Sequence, residues 1–330
     1  MWWRSVIWTG VIFATLSWLV PSLLWLACRL AGKAFSYRLP YAPFGWTALA
    51  LAIIVCAGIV YGHYIGRFAI EVNEIEYAGT DVPAAFDGYK IVHISDLHVD
   101  SFENPEDLMK VVNKVNEQQA DIILFTGDMT TGSLAGIHPH TEALKALHAS
   151  EGVVSIMGNH DFFIYDPQYR TDQERCNAAD TLTAYERETL GWKVLRNQSL
   201  MLHQGNDSIA VAGVDNINGE QGFKTIQMGD LGKATEGLDG IFTIVMTHDP
   251  SHWQAEVLPQ SHAQITLSGH THAAQVRILG WSFSRVMFNE CDGRYDSDGR
   301  MLYVNAGIGC TAPFRIGCPS EITVITLRHK

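Results

Sequence analysis

Five apolar runs in this chain each end in a residue able to hold a metal ion. KIVHIS leads into Asp96-Leu97-His98, DIILFTG into Asp128 and GVVSIMG into Asn159-His160-Asp161. FTIVMT leads into His248, and QITLSG into His270-Thr271-His272. Asp96 and His98 are two residues apart, so an extended backbone aims both side chains the same way. Asp128 follows Gly127, which lets the chain turn sharply there. A carboxylate has two oxygens and can bridge ions about 3.5–4 Å apart. Asn159 offers a neutral carbonyl oxygen, and His248, His270 and His272 offer imidazole nitrogens. Together with Asp96, His98 and Asp128 they suffice for two divalent ions that share one carboxylate. Such a pair is the starting point for phosphate-ester hydrolysis.

Charge counting favours this mixture. Two divalent ions bring four positive charges; Asp96 and Asp128 remove two, and a bridging hydroxide one more. The site stays positive and attracts a phosphate anion. The shared water loses a proton near neutral pH and becomes the nucleophile. His160, beside the ligand Asn159, is placed to protonate the leaving alkoxide as a general acid. Asp161 is expected to orient or polarise His160, with helix capping as the alternative.

These residues need strands that deliver them to one edge, because open α/β sheets bind ligands outside the carboxyl ends of their strands. The intervening segments carry helix signals. Asn104-Pro105-Glu106-Asp107 has a capping residue, Pro at the first position and acids in the first turn. Leu108, Val111, Val112 and Val115 follow at helical spacing. Further helices are expected over His140–Ala149 and Asp172–Leu190, the latter ended by Gly191. Strand and helix alternate up to this point, which gives parallel βαβ pairing. From Lys193 onward short strand-like runs dominate. Two sheets packed face to face with helices outside is the simplest architecture. Arg285 to Arg300, polar and Gly-rich, reads as an exposed hairpin or loop.

The first 70 residues differ in kind. Ser5 to Cys28 holds no charged residue, and Phe44 to Gly66 none apart from His63. Each exceeds the roughly 20 residues needed to cross the hydrocarbon layer. Trp2, Trp3, Trp25, Trp46 and Tyr64 lie near the ends of these runs, where interfacial aromatics belong. A membrane anchor of two transmembrane helices over 1–70, followed by a catalytic domain over 71–330, is expected. The connecting loop carries Arg29, Lys33 and Arg38, against Arg4 and Arg67 on the other side. This bias expects a cytoplasmic loop and an extracytoplasmic catalytic domain. The net charge of -12 argues against nucleic acid as a partner. Six cysteines show no CxxC spacing, so zinc-ribbon chemistry is not indicated. Cys310 and Cys318 are either a disulfide or free thiols.

The ordered set DLH, GD, GNHD, TH, GHTH resembles the calcineurin-like metallophosphoesterase superfamily from about Ile91 to the end of the chain. The resemblance implies an α/β fold, a four-layer αββα sandwich, with a dinuclear metal site. Carried over by motif, Asp96, His98, Asp128 and His272 resemble the ligands of the first metal. Asp128, Asn159, His248 and His270 resemble those of the second, and His160 resembles the catalytic histidine. The stretch NAGIGCTAPFRIGCPSEITVITL is similar to the membrane-associated bacterial branch, which includes phosphodiesterase-like enzymes and UDP-diacylglucosamine pyrophosphatases. Ala273 and Ala274 stand where that branch often carries two glycines, and Thr131 stands where an acid is common.

The expectation is a membrane-anchored, two-metal hydrolase of phosphate esters, a phosphodiesterase acting on a lipid-linked or envelope substrate. The ligand types suit Mn, Fe or Zn without choosing among them. Phe162, Phe163 and Tyr165 are candidates for an apolar lip, with core packing as the alternative for at least one. His138 is the remaining histidine best placed to overhang the site, and Arg315 is expected at the surface, with a phosphate contact as the alternative. Two other functions stay open: a non-catalytic metal-binding module of a membrane assembly, and a phosphomonoesterase acting on soluble substrates.

Overall fold

The computed structural model describes residues 2–33, 39–217 and 226–330, and Arg38 of the expected basic loop lies outside them. The chain forms two compact units. One comprises residues 1–67 with Ala312–Gly317; the other comprises Phe68–Thr311 and Cys318–Lys330.

The first unit is built on helices α1 (Trp2–Lys33) and α2 (Ala42–Tyr64). Their apolar stretches, Val6–Gly32 and Ala42–Phe68, each run 27 residues at mean hydropathies of 2.0 and 2.1. At 1.5 Å per residue each is long enough to cross a bilayer. The helices meet through polar contacts near their connection. Ser22 Oγ lies 2.8 Å from the Tyr41 hydroxyl, and Trp25 Nε1 donates to the Leu39 carbonyl at 3.2 Å. Segment Ala312–Gly317 joins this unit at the end of α2. His63 Nδ1 lies 2.8 Å from the Pro313 carbonyl, and the Arg315 amide donates to the Gly62 carbonyl. Gly62 is required there, since a Cβ would sit 2.8 Å from the Arg315 carbonyl oxygen. Arg315 is fully buried, contrary to its expected surface position.

The second unit is the α/β part. Its strands are β1 (Ile70–Gly79), β2 (Lys90–Ile94), β3 (Ile122–Phe125), β4 (Val153–Ser155), β5 (Lys193–Val194), β6 (Gln198–Gln204) and β7 (Asp207–Gly213). They continue with β8 (Thr243–Met246), β9 (Ile265–Ser268), β10 (Arg277–Ile278), β11 (Trp281–Ser282), β12 (Gly293–Ser297), β13 (Arg300–Val304) and β14 (Ser320–His329). One six-stranded sheet runs β1-β14-β2-β3-β4-β5 and the other β12-β13-β9-β8-β7-β6. The strands β2 to β5 are parallel, as are β7, β8, β9 and β13.

Period-two alternation explains the layering. In β3, Ile122 and Leu124 face the other sheet, packing with Ile244, Met246, Ile265 and Leu267. Ile123 and Phe125 face outward onto α3 (Pro105–Asn116), through Leu108, Val111, Val112 and Val115, and onto α5 (Asp172–Ala184), through Ala178 and Leu182. The far face of the second sheet, Val245 and Val304 among others, is covered by Leu231, Trp253 and Val257. Helix, sheet, sheet, helix is the expected four-layer sandwich. The helix expected over His140–Ala149 is shorter, α4 spanning Thr141–Lys145. The hairpin expected within Arg285–Arg300 is formed by β12 and the start of β13, in antiparallel register.

Candidate metal centre

Every predicted ligand lies just beyond the carboxyl end of a strand. Asp96 and His98 follow β2, Asp128 follows β3 and Asn159 follows β4. His248 follows β8, and His270 and His272 follow β9. Because β2–β4 belong to one sheet and β8–β9 to the other, the site lies where the two sheets open at one edge. Backbone hydrogen bonds stitch the loops together. The Asp96 amide donates to the Gly127 carbonyl at 2.9 Å and the His98 amide to the Asp128 carbonyl at 3.0 Å. Gly127, at φ +92, has no room for a Cβ against the Gly158 backbone.

The side chains converge in overlapping groups. Asp96, His98 and His272 bring their ligand atoms within 4.8 Å of one another, as do Asp128, His248 and His270. His272 Nε2 is 3.2 Å from Asp96 Oδ1 and 3.1 Å from His98 Nε2. His248 Nε2 and His98 Nε2 lie 3.1 Å and 3.7 Å from Asp128 Oδ2. Asp128 therefore stands between the two groups. Asn159 Oδ1 reaches His270 Nδ1 at 2.8 Å. Ligands about 2.1 Å from a common ion sit roughly 3–3.5 Å apart, which is the spacing here.

The residues fit divalent ions on a further test. The Nε2 atom of His248 is buried and makes no hydrogen bond of acceptable geometry, while its Nδ1 lies 2.8 Å from the Thr126 carbonyl. A ligating histidine commonly donates its other ring N–H to a backbone carbonyl in this way. Electrostatics point the same way. Burial alone would raise Asp96 and Asp128, but the surrounding histidines, His272 first for Asp96 and His248 first for Asp128, hold both carboxyls below their usual range. Burial works against a charge on His248, yet Asp128 and then Asp96 push it up to about 10. The cluster thus combines two ionised carboxyls with several imidazoles, a donor set of the kind that holds divalent ions.

Five of these residues adopt left-handed backbone: Asp96 (φ 51°), His98 (φ 36°), Asp128 (φ 62°), His270 (φ 70°) and His272 (φ 50°). Asp and His visit this region more readily than most residues, and such strain gathers at functional sites. Ala273 and Ala274 continue it at φ 49° and 51°. Glycine would fit that backbone with less strain, which explains why it suits these two positions.

His160 sits at the rim, partly exposed. Its Nδ1 is 2.6 Å from the Thr131 carbonyl, to which it donates, and Nε2 is left to face a substrate. Its ring nitrogen falls within 4.8 Å of ligand atoms of His98 and Asp128. The expected pairing of Asp161 with His160 is replaced by another. Asp161 is fully buried and its two oxygens accept the amides of Asp128 (2.7 Å), Met129 (2.8 Å) and Gly158 (2.8 Å). Asp161 therefore ties the Asp128 loop to the Asn159 loop, and the Thr131 carbonyl orients His160. Of the aromatic trio, Phe162 and Phe163 are core residues, whereas Tyr165 is exposed with its ring 4.7 Å from that of His160. His138 is exposed and packs edge-on against Tyr185.

Several supporting residues escaped the motif reading. The loop after β13 closes on the cluster: a Cβ on Gly307 would lie 2.9 Å from Asp96 Cβ and 3.0 Å from His272 Nδ1. Asn305 Oδ1 accepts the Gly307 amide at 2.8 Å, and buried Glu321 accepts the Ala306 amide at 2.9 Å. Asp249, directly after His248, lies 3.9 Å from His270 Nε2. Its place next to a strand-end histidine was the available signal. Cys310 and Cys318 are buried and not joined in a disulfide, and Cys318 Sγ lies 3.6 Å from the His272 carbonyl.

Residues 89–274 match the family described as calcineurin-like phosphoesterase, which spans the strands, loops and histidines just described up to Ala274. The chain belongs to the calcineurin-like phosphoesterase family. Membership makes it a metal-dependent phosphoesterase, a hydrolase of ester bonds. Among curated relatives, the metallophosphoesterase YkuE of Bacillus subtilis is 30% identical over 294 residues, covering 84% of this chain and 92% of that one. The UDP-2,3-diacylglucosamine pyrophosphatase LpxG of Chlamydia trachomatis is 25% identical, covering 86% of this chain and 98% of its own length. A protein of Danio rerio described as a transmembrane protein with metallophosphoesterase domain is 27% identical, covering 87% of this chain and 63% of its own length.

Proposed function

We propose that this chain is a membrane-anchored phosphodiesterase that uses two divalent ions to hydrolyse a lipid-linked phosphate ester. The carrying observation is the position of Asp128 between two groups of ligand atoms. In this reading Asp96, His98, Asp128 and His272 hold one ion, and Asp128, Asn159, His248 and His270 hold the other. Bound divalent ions, whether Mn, Fe or Zn, supply Lewis acidity and a hydroxide nucleophile at neutral pH. As an imidazolium, His160 would donate its Nε2 proton to the leaving oxygen and keep the Nδ1 proton on the Thr131 carbonyl, which fixes its ring. Asp161 keeps the two ligand loops in register.

Residues 1–70 form the anchor with two transmembrane helices, and 71–330 the phosphoesterase domain. The length and apolar character of α1 and α2 support this, as do relatives described as transmembrane. The arginines and lysine between the helices favour a cytoplasmic loop and an extracytoplasmic catalytic domain. The lipid-linked substrate is supported by the similarity to an enzyme whose named substrate is a diacylated nucleotide sugar.

The test is hydrolysis by full-length, detergent-solubilised protein loaded with each of several divalent ions. The expected result is metal-dependent cleavage of bis(p-nitrophenyl) phosphate and of a lipid pyrophosphate, abolished in Asp128→Asn. Cleavage of p-nitrophenyl phosphate alone would instead make it a monoesterase. Metal binding without turnover of any phosphoester would leave only a binding module.

A further inference from the structure

The short hairpin β10–β11 and the turn after it carry an exposed apolar surface that the catalytic reading does not use. Ile278, Leu279, Trp281, Phe283, Val286 and Met287 are all exposed, Leu279 completely and Val286 by 75%. They fall within ten consecutive residues, unlike the scattered single apolar residues normal on a protein surface. Leu279 and Gly280 form the tip at φ 51° and 79°. Two-residue hairpin turns with positive φ at both positions favour Asn-Gly or Gly-Gly. A branched apolar side chain in that backbone is strained and, in water, unfavourably exposed. Among the described residues, nothing packs on Leu279 that accounts for leucine there.

We infer that this hairpin is a lipid-contacting finger, which dips into the surface of an anionic bilayer and holds the mouth of the metal centre against it. This rests on the membrane-anchored reading above. Three observations favour lipid over a protein partner. The chain carries two helices of bilayer-crossing length, so lipid is close at hand. Between Glu256 and Glu290 it holds no acidic residue and two arginines, Arg277 and Arg285, in a chain of net charge -12. Basic residues beside an apolar tip suit anionic headgroups, although here Asp292 also pairs with both, at 2.9 Å and 3.5 Å. Trp281, edge-on to Phe283 at 4.8 Å, is the residue type that settles at the headgroup level.

The finger is fastened to the site. Ser282 Oγ donates to the Ala273 carbonyl at 2.5 Å, directly after the ligand His272. Thr271 donates to the Cys291 carbonyl, and the Phe288 ring meets His270 edge-on at 5.7 Å. A finger seated in lipid therefore presents the phosphate-binding edge to headgroups.

The test compares amide hydrogen exchange of the full chain in nanodiscs of phosphatidylcholine with phosphatidylglycerol and in a lipid-free amphipathic polymer. Residues 278–287 should exchange at least about tenfold more slowly in the nanodiscs, and Leu279→Asp/Val286→Asp should abolish the difference while the central strands keep theirs. Equal exchange of the wild-type protein in both settings overturns the inference, whatever the variant does. Slow exchange in the polymer that depends on protein concentration also overturns it, in favour of a second copy. Hydrolysis of bis(p-nitrophenyl) phosphate is read separately. Its absence would remove the phosphodiesterase reading while leaving lipid protection of the finger standing.

Discussion

Protonating a leaving alkoxide requires an acid whose proton faces the departing oxygen. In the proposed mechanism His160 fills that need, because the Thr131 carbonyl occupies Nδ1 and leaves Nε2 for the leaving group. Asp161 does not, because three backbone amides take up its carboxylate. The two neighbours should therefore fail differently. His160→Ala is expected to lower kcat on phosphodiesters about 100-fold or more, with the loss growing as the leaving group becomes more basic. Asp161→Asn should lower activity and metal affinity together, with unchanged sensitivity to the leaving group. Rates measured across a series of aryl and alkyl leaving groups decide this. Identical slopes for wild type and His160→Ala would remove His160 from the proton transfer. At this scale the sequence was most readable for the ligand candidates, since each sits directly after an apolar run. What it hid was the partner of each side chain. Whether Asp161 meets a neighbouring ring or amides of the Asp128 loop depends on residues about thirty positions away.

At the scale of elements, the helical segment expected over Asp172–Leu190 has those limits, but α5 itself stops at Ala184 and a different helix type continues to Leu190. Thr171 caps it through a reciprocal capping box with Glu174, and Gly191 closes the following segment at φ 75°. The last turn, Tyr185–Leu190, is a π-helix, which no local signal announced. It carries fully buried Glu186 to Ser155 at the end of β4, whose hydroxyl donates to the carboxyl. Burial first, with Asp161 adding, pushes Glu186 up to about 8, against the pull of Ser155, Arg196 and Arg187. Its ordinary value is near 4.5, so between those limits the folded protein holds a proton that the unfolded chain releases. Stability from this group is fully present below pH 4.5 and falls as pH rises, by up to about 1.4 kcal/mol per pH unit, until it levels near pH 8. Glu186→Gln stays neutral throughout. It should flatten this part of the stability curve and leave the variant more stable than wild type above neutrality. Urea unfolding at pH 5, 6, 7 and 8 measures it, and parallel curves for the two proteins would show that Glu186 is not buried as a neutral acid.

For the molecule as a whole, the closing pieces were the least readable. β14 enters the first sheet between β1 and β2, parallel to one and antiparallel to the other, from more than 200 residues away. Ala312–Gly317, an unremarkable loop in composition, belongs with the two apolar helices. Such pairings rest on long-range packing that short patterns do not encode. In the proposed two-metal reading, the same long-range character would give the metal centre a stabilising role. Asp96, His98, Asp128 and Asn159 extend from one sheet, and His248, His270 and His272 from the other, so ions held among them tie the open edges of both sheets together. Without ions, Asp96 and Asp128 remain buried anions that rely on neighbouring histidines. A ligand present at about 100 times its Kd adds about 2.7 kcal/mol to the folded state. In a unit of this size that corresponds to a shift in Tm of about 5–10 °C. Full-length protein dialysed against a chelator should therefore unfold its α/β unit at a correspondingly lower temperature, restored by adding back the divalent ion. Asp128→Asn should lower the Tm in the presence of the ion and respond little to the chelator. An α/β unit whose calorimetric transition is indifferent to chelation would mean that these residues do not bridge the two sheets through bound ions.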